Sequence, residues 1–239
     1  MNLDQQIRRG PEPSRRDHQS GADEPLVLIV DDDDSVREAL SELIQSAGFQ
    51  VACFASTREL LDAEVVDSPG CLVLDVRMPG ASGLDLQHQL IKNGNHKSII
   101  FLTGHGDIPM TVQAMKAGAV DFLTKPVRDQ TLLDAVIAGI AADAERRSEA
   151  IIVRRNVERL ETLTPREREV LYEVARGRLN KQIAFDLGIS EVTVKLHRGN
   201  VMRKMEVMSI GELIRAWETL PMPFRQPPPH ARRASASHA

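Results

Sequence analysis

The chain has little cysteine, no long hydrophobic run and no overall excess of positive charge. Its two cysteines, Cys53 and Cys71, each lie in an apolar stretch with strand character, which favours buried thiols over a disulfide or a metal pair. No apolar run reaches the ~18 residues of a membrane span. Residues 1–24 are polar and lack the apolar core of a signal peptide. The expectation is a soluble, cytoplasmic protein without a membrane partner.

The formal charge of −4 conceals an asymmetry. Residues 25–146 hold 9 Lys/Arg against 18 Asp/Glu, whereas residues 160–220 hold 10 against 9. By charge the first half is no nucleic-acid binder. The second half is nearly neutral, so any nucleic-acid contact there depends on where its cations sit. At 239 residues the chain has room for two domains of ordinary size.

Residues 1–24 and 221–239 are aperiodic and polar or Pro/Ala/Ser/Arg-rich, and are expected to be disordered tails. Across residues 25–144, five short apolar runs (Leu26–Val30, Val51–Phe54, Leu72–Leu74, Ile99–Leu102, Ala119–Leu123) each precede a helical pattern. That alternation predicts an α/β domain with a doubly wound, five-stranded parallel sheet. Residues 145–159 are charged and contain neither Pro nor Gly, as a helical linker would. Residues 160–220 change to helices alone. Thr164, Pro165 and Glu167 form a compact helix start, and Lys181–Leu187, the turn Gly188-Ile189-Ser190 and Glu191–Met205 outline a helix-turn-helix.

The apolar runs end in chemistry-bearing residues. Asp31 to Asp34 follow the first, Asp75 the third, Thr103 ends the fourth and Lys125 follows the fifth. With strand order 2-1-3-4-5 these groups meet at the carboxyl edge of the sheet, where open α/β sheets bind ligands. Clustered carboxylates repel without a cation, and oxygen-only ligands suit Mg2+. A hydroxyl and an ammonium opposite a metal are what a phosphoryl group requires. Each residue alone has a plainer reading: an acidic run is often a solvated turn, and Asp34 is read as a helix cap. Their joint placement at four strand ends is what favours a site.

The segments Val30-Asp31-Asp32-Asp33, Leu74-Asp75-Val76-Arg77-Met78-Pro79-Gly80, Thr103-Gly104-His105-Gly106-Asp107-Ile108-Pro109-Met110 and Ala114 to Pro126 resemble the receivers of two-component response regulators, most of all the FixJ-type group. The resemblance implies that Asp75 is the phosphoacceptor for a sensor histidine kinase. It implies that Asp32, Asp75 and the Arg77 backbone carbonyl ligate Mg2+, that Asp31 acts through a metal-bound water, and that Thr103 and Lys125 contact the phosphoryl group. Phe122 matches the aromatic switch residue that works with Thr103, and Lys125–Pro126 would be cis. Such a chain reports by conformation and is not classed as an enzyme. A phosphatase-like hydrolase with acids two residues apart, a spacing Asp31 and Asp33 imitate, would need a cap domain for which residues 25–146 leave little room. A phosphorylation-independent DNA binder would not require all five pocket positions.

On the second helix of the motif, Val194, Val201 and Met205 are assigned to the core, leaving Lys195, Arg198 and Asn200 toward solvent or DNA. Leu163 to Leu171, Asn180 to Ala184 and Val192 to Arg198 resemble the LuxR-type output domain of the NarL/FixJ family. By that resemblance Lys195, Leu196 and Gly199 fall at base-contacting positions. Because Gly199 has no side chain, Arg198 or Asn200 would share its role. Lys181, Thr193, His197 and Lys204 are expected at phosphates. The implied partners are double-stranded DNA and a second copy of the chain, with RNA polymerase as a further candidate.

Overall fold

The computed structural model describes residues 24–104 and 106–226. Most of the two expected tails, and His105, lie outside the described residues. The chain divides into two compact units at Ala144 and Glu145, and each is described by itself.

The first unit alternates β1 (Leu26–Val30), α1 (Asp34–Ser46), β2 (Gln50–Phe54), α2 (Thr57–Asp62), β3 (Cys71–Asp75), α3 (Gly83–Lys92), β4 (Ser98–Thr103), α4 (Ile108–Lys116) and β5 (Asp121–Thr124). A helix of 33 residues, α5 (Asp129–Glu161), follows. The strands are all parallel, in the order β2-β1-β3-β4-β5. Strands β3 and β4 are buried along their whole length, so their sequences read as continuous apolar runs, as expected where helices cover both faces. Alternate residues feed two cores. Leu28, Val30, Leu72, Leu74 and Phe101 pack on one face, and Val27, Ile29, Val73, Ile100 and Leu102 on the other. Leu132, Ala135 and Val136 of α5 close the second core.

Four local readings are corrected. The N-cap of α1 is Asp33, whose carboxylate accepts from the amides of Ser35 and Val36 at 2.9 and 3.3 Å. Asp34 is instead the first helical residue and pairs with Arg37. Cys53 is exposed while Cys71 is buried, because β2 is an edge strand and covers less of its surface. Burial pushes the Cys71 thiol up to about 12, which leaves it protonated and unreactive. Strand β5 begins at Asp121, two residues later than its apolar run. Gly118 lies at φ +88°, and Val120 donates to the Ile99 carbonyl at 2.7 Å on the way in. Finally, Met222–Arg225 forms a turn of 3-10 helix inside the segment read as a tail from residue 221, where Pro221 and Pro223 suit a tight turn.

The second unit packs the end of α5 with α6 (Pro165–Ala175), α7 (Asn180–Leu187), α8 (Glu191–Lys204) and α9 (Ile210–Glu218). Its core joins Leu160, Val170, Leu171, Val174, Ile183, Val194, Val201, Met205 and Leu213. Thr164 and Glu167 form the reciprocal capping box at the start of α6. Gly188 ends α7 at φ +63°, a left-handed conformation that costs glycine little and reverses the chain into α8. Ser190 caps α8 by accepting from Thr193 N at 3.1 Å. Residues 145–159 lie within α5 and are helical throughout. Among the described residues no helix is long and apolar enough to cross a membrane.

Candidate functional site

Parallel pairing carries β1, β3, β4 and β5 to the same edge, and their terminal residues assemble there. Asp31 directly follows β1 and is 2% exposed, Asp75 ends β3 at 8%, and Thr103 ends β4 fully buried. Lys125 follows β5, held by its backbone amide on the Thr103 carbonyl at 2.7 Å. Its ammonium donates to Asp75 Oδ2 at 2.7 Å and to Asp31 Oδ2. The other oxygen of each acid is also used: Asp31 Oδ1 accepts from Asp33 N at 3.1 Å, and Asp75 Oδ1 from Arg77 N at 3.0 Å. The Lys125–Pro126 bond is cis.

Burial sets the electrostatics of this cluster. It pushes Asp31 above its ordinary value, against the pull of Lys125 and the Asp33 amide. Burial alone would pull Lys125 down, but its bonds to Asp31 and Asp75 together raise it. Lys125 therefore stays cationic and shares one charge between two acids. Asp32 is exposed at the mouth. Carboxylate oxygens of Asp31, Asp32 and Asp75 lie within 4.8 Å of one another. Such an oxygen-only group, with one face open to water, matches what Mg2+ takes from protein.

The α3 helix packs closely behind the acceptor. A β-carbon at Gly83 would stand 2.3 Å from the Asp75 carbonyl oxygen, so only glycine lets α3 approach there. Phe122 is half-buried on β5, with its ring centroid 5.9 Å from that of Phe101, and a β-carbon at Gly106 would stand 2.9 Å from its ring edge. Arg37 was not singled out from the sequence. It donates from α1 to the Asp31 carbonyl at 2.6 Å and braces the acidic loop. Its only sequence signal is a cation one turn into a helix that follows an acidic run.

The residues singled out on the second unit divide. Val194, Val201 and Met205 are buried, while Lys181, Lys195, Leu196 and Gly199 are exposed. Four others are engaged within the domain. Arg198 donates to Asn180 Oδ1 on α7, Asn200 accepts from Arg203 at 3.2 Å, and Thr193 shares a hydroxyl bond with Ser190 at 2.8 Å. Lys204 binds Glu167 Oε2 at 2.7 Å and the Thr162 carbonyl at 3.1 Å. Burial works against the ionised Glu167, but bonds from Lys204 and Thr164 outweigh it and hold the carboxyl below its usual range. His197 is half-buried, and its Nδ1 meets no hydrogen-bond partner among the described residues.

Comparison with known proteins divides the chain in the same two parts. Residues 27–137 match the response regulator receiver domain, and residues 161–217 match the bacterial regulatory proteins of the luxR family. Among relatives, response regulator protein TodT of Pseudomonas putida is 52% identical over 195 residues, covering 82% of this chain and 86% of TodT. Transcriptional regulatory protein FixJ of Azorhizobium caulinodans is 46% identical over 189 residues, covering 79% and 90%. Among solved structures, the response regulator StyR superposes with a TM-score of 0.71 at 49% identity, covering 82% of this chain and 98% of that one.

Proposed function

The chain belongs to the response regulators that join a receiver domain to a LuxR-type DNA-binding domain, and from that premise we propose that phosphorylation of Asp75 switches its transcriptional output. The observation that carries this reading is the single ammonium of Lys125 bound to both Asp31 and Asp75. Asp75 Oδ2 attacks the phosphorus of a phosphohistidine on a partner sensor kinase. The P–N bond breaks with its electron pair going to the ring nitrogen, an acyl phosphate forms, and the kinase imidazole leaves neutral because its other ring nitrogen already carries a proton. Lys125 then moves its charge toward the new phosphoryl oxygens, and the Thr103 hydroxyl contacts them from β4.

Asp32, Asp75 and the Arg77 backbone carbonyl would hold Mg2+, with Asp31 reaching it through a water. When bound, the metal offsets the negative charge gathered on the transferring group. Replacing Asp32 with Asn is expected to weaken Mg2+ binding well beyond replacing Asp34 with Asn, because Asp34 pairs with Arg37 outside the cluster. Equal losses in a fluorescence or calorimetric titration would refute that division.

Residues 25–144 act as receiver, 145–159 as helical linker and 160–220 as output domain of a cytoplasmic regulator whose product is a conformation, not a turned-over substrate. In the output domain α8 enters the major groove as the second helix of the motif. Lys195 and Leu196 read bases, with Arg198 or Asn200 lending support after release from Asn180 and Arg203. Lys181, Thr193 and His197 set register on phosphates, and Lys204 joins them on release from Glu167. A second copy binds the paired half-site, and RNA polymerase is the downstream partner. Affinity of the full chain for a DNA duplex it selects, measured before and after full phosphorylation at matched salt, tests this reading. A rise on phosphorylation is expected, and an Asp75→Asn chain should show none. Identical affinities for native chain in the two states would sink it.

A further inference from the structure

The exposed face of α8 is chemically unusual for a helix that contacts polyanionic DNA. Val192 is 76% exposed and Leu196 63%, and at spacing i, i+4 they stand one above the other. Gly199 continues the same face. A β-carbon there would meet nothing within 4 Å, so packing among the described residues does not require its lack of a side chain. The room it leaves is on the outside. Of the two long cations between Val192 and Gly199, Arg198 is turned onto Asn180 of α7, and Lys195 is exposed.

Resting on the reading that α8 lies in the major groove, we infer that Val192 and Leu196 recognise the 5-methyl groups of thymine and make the preferred half-site depend on them. In the major groove thymine alone presents a methyl group, and aliphatic side chains are its complement. Val192 lies at the second position of α8, near the N-terminal end from which recognition helices reach base edges. Gly199 lets the backbone approach closely enough for both aliphatic side chains to touch the groove floor. In the sequence Val192 stands out only as the first residue of the segment Val192 to Arg198.

The test uses the full chain and a duplex that it selects from a random library. Each thymine is replaced in turn by deoxyuridine, which removes the methyl and keeps base pairing. At one or two positions per half-site the affinity should fall about fourfold, the equivalent of ~0.8 kcal/mol for one buried carbon group. Val192→Ala or Leu196→Ala should cost a similar factor on the thymine duplex and nothing further on the matching deoxyuridine duplex. Both side chains are exposed, so the variants should melt with the native chain, and the deoxyuridine series with native protein stands without them. Uniform affinity across that series, together with weaker binding by Lys195→Ala, would overturn methyl reading while keeping α8 in the groove. Unchanged binding by all three alanine variants would instead remove α8 from the groove and take the inference with it.

Discussion

Incubated with a small phosphodonor and Mg2+, the native chain is expected to gain one phosphoryl group, on Asp75, and the Asp75→Asn chain none. The acidic loop offers four other carboxylates within a few residues, so selectivity needs a physical cause. Asp33 is spent on the amides that begin α1, and Asp34 on Arg37. Asp32 is exposed at the mouth of the site, where the Lys125 ammonium is taken by Asp31 and Asp75. Asp31 shares Lys125 but is nearly enclosed and pushed toward its protonated form by burial. Asp75 alone combines a position at the end of a central strand, the Lys125 ammonium at 2.7 Å and a place beside the buried end of β4 that carries Thr103. Asparagine keeps the shape and a hydrogen-bond acceptor for Lys125 while removing the nucleophilic oxygen. Intact mass spectrometry reads the result directly. Undiminished phosphorylation of Asp75→Asn would move the acceptor elsewhere and undo the assignment.

The sheet and its functional edge were readable in the sequence because burial on both faces imposes unbroken apolar runs, and each run stops where the backbone leaves the core. Asp31, Asp75, Thr103 and Lys125 therefore announced themselves by following those runs. What escaped notice depends on contacts that no local pattern encodes. Four consecutive aspartates look equivalent until the backbone of Asp33 adopts the extended conformation of an N-cap. Cys53 and Cys71 sit in similar apolar strings, yet one lies on an edge strand and the other on a central one. A helical wheel placed Arg198 near the solvent side of α8 but could not reveal Asn180, 18 residues earlier on α7, as its partner. Lys204 likewise reads as a free cation until Glu167, 37 residues away, is seen to claim it.

Phosphorylation is expected to convert the chain from monomer to dimer through the outer face of α4, and a charge on that face should abolish the dimer. Ile108, Val112 and Met115 are exposed at 81%, 44% and 43%. Their spacing of four and three residues aligns them in one stripe, whereas isolated exposed apolar residues would call for no explanation. The stripe also lies next to the site. Thr103 ends the strand before α4, a β-carbon at Gly106 in the intervening turn would stand 2.9 Å from the Phe122 ring, and Phe122 stands on the strand after it. Movement of Thr103 toward the phosphoryl group would open space that Phe122 can enter, changing the surface between α4 and β5. A shift from a mostly inactive to a mostly active population needs roughly 5.5 kcal/mol of preference, a scale that one acyl phosphate with a metal and two protein partners can approach. In a twofold dimer each substitution counts twice. Losing about 1.5–3 kcal/mol of apolar burial per copy makes Ile108→Asp weaken association by at least about a hundredfold, while labelling of Asp75 continues. Sedimentation of the phosphorylated full chain at micromolar concentration decides the matter. A dimer that forms without phosphate, or survives both Ile108→Asp and Val112→Asp, would exclude α4 and direct attention to residues 145–159 of α5.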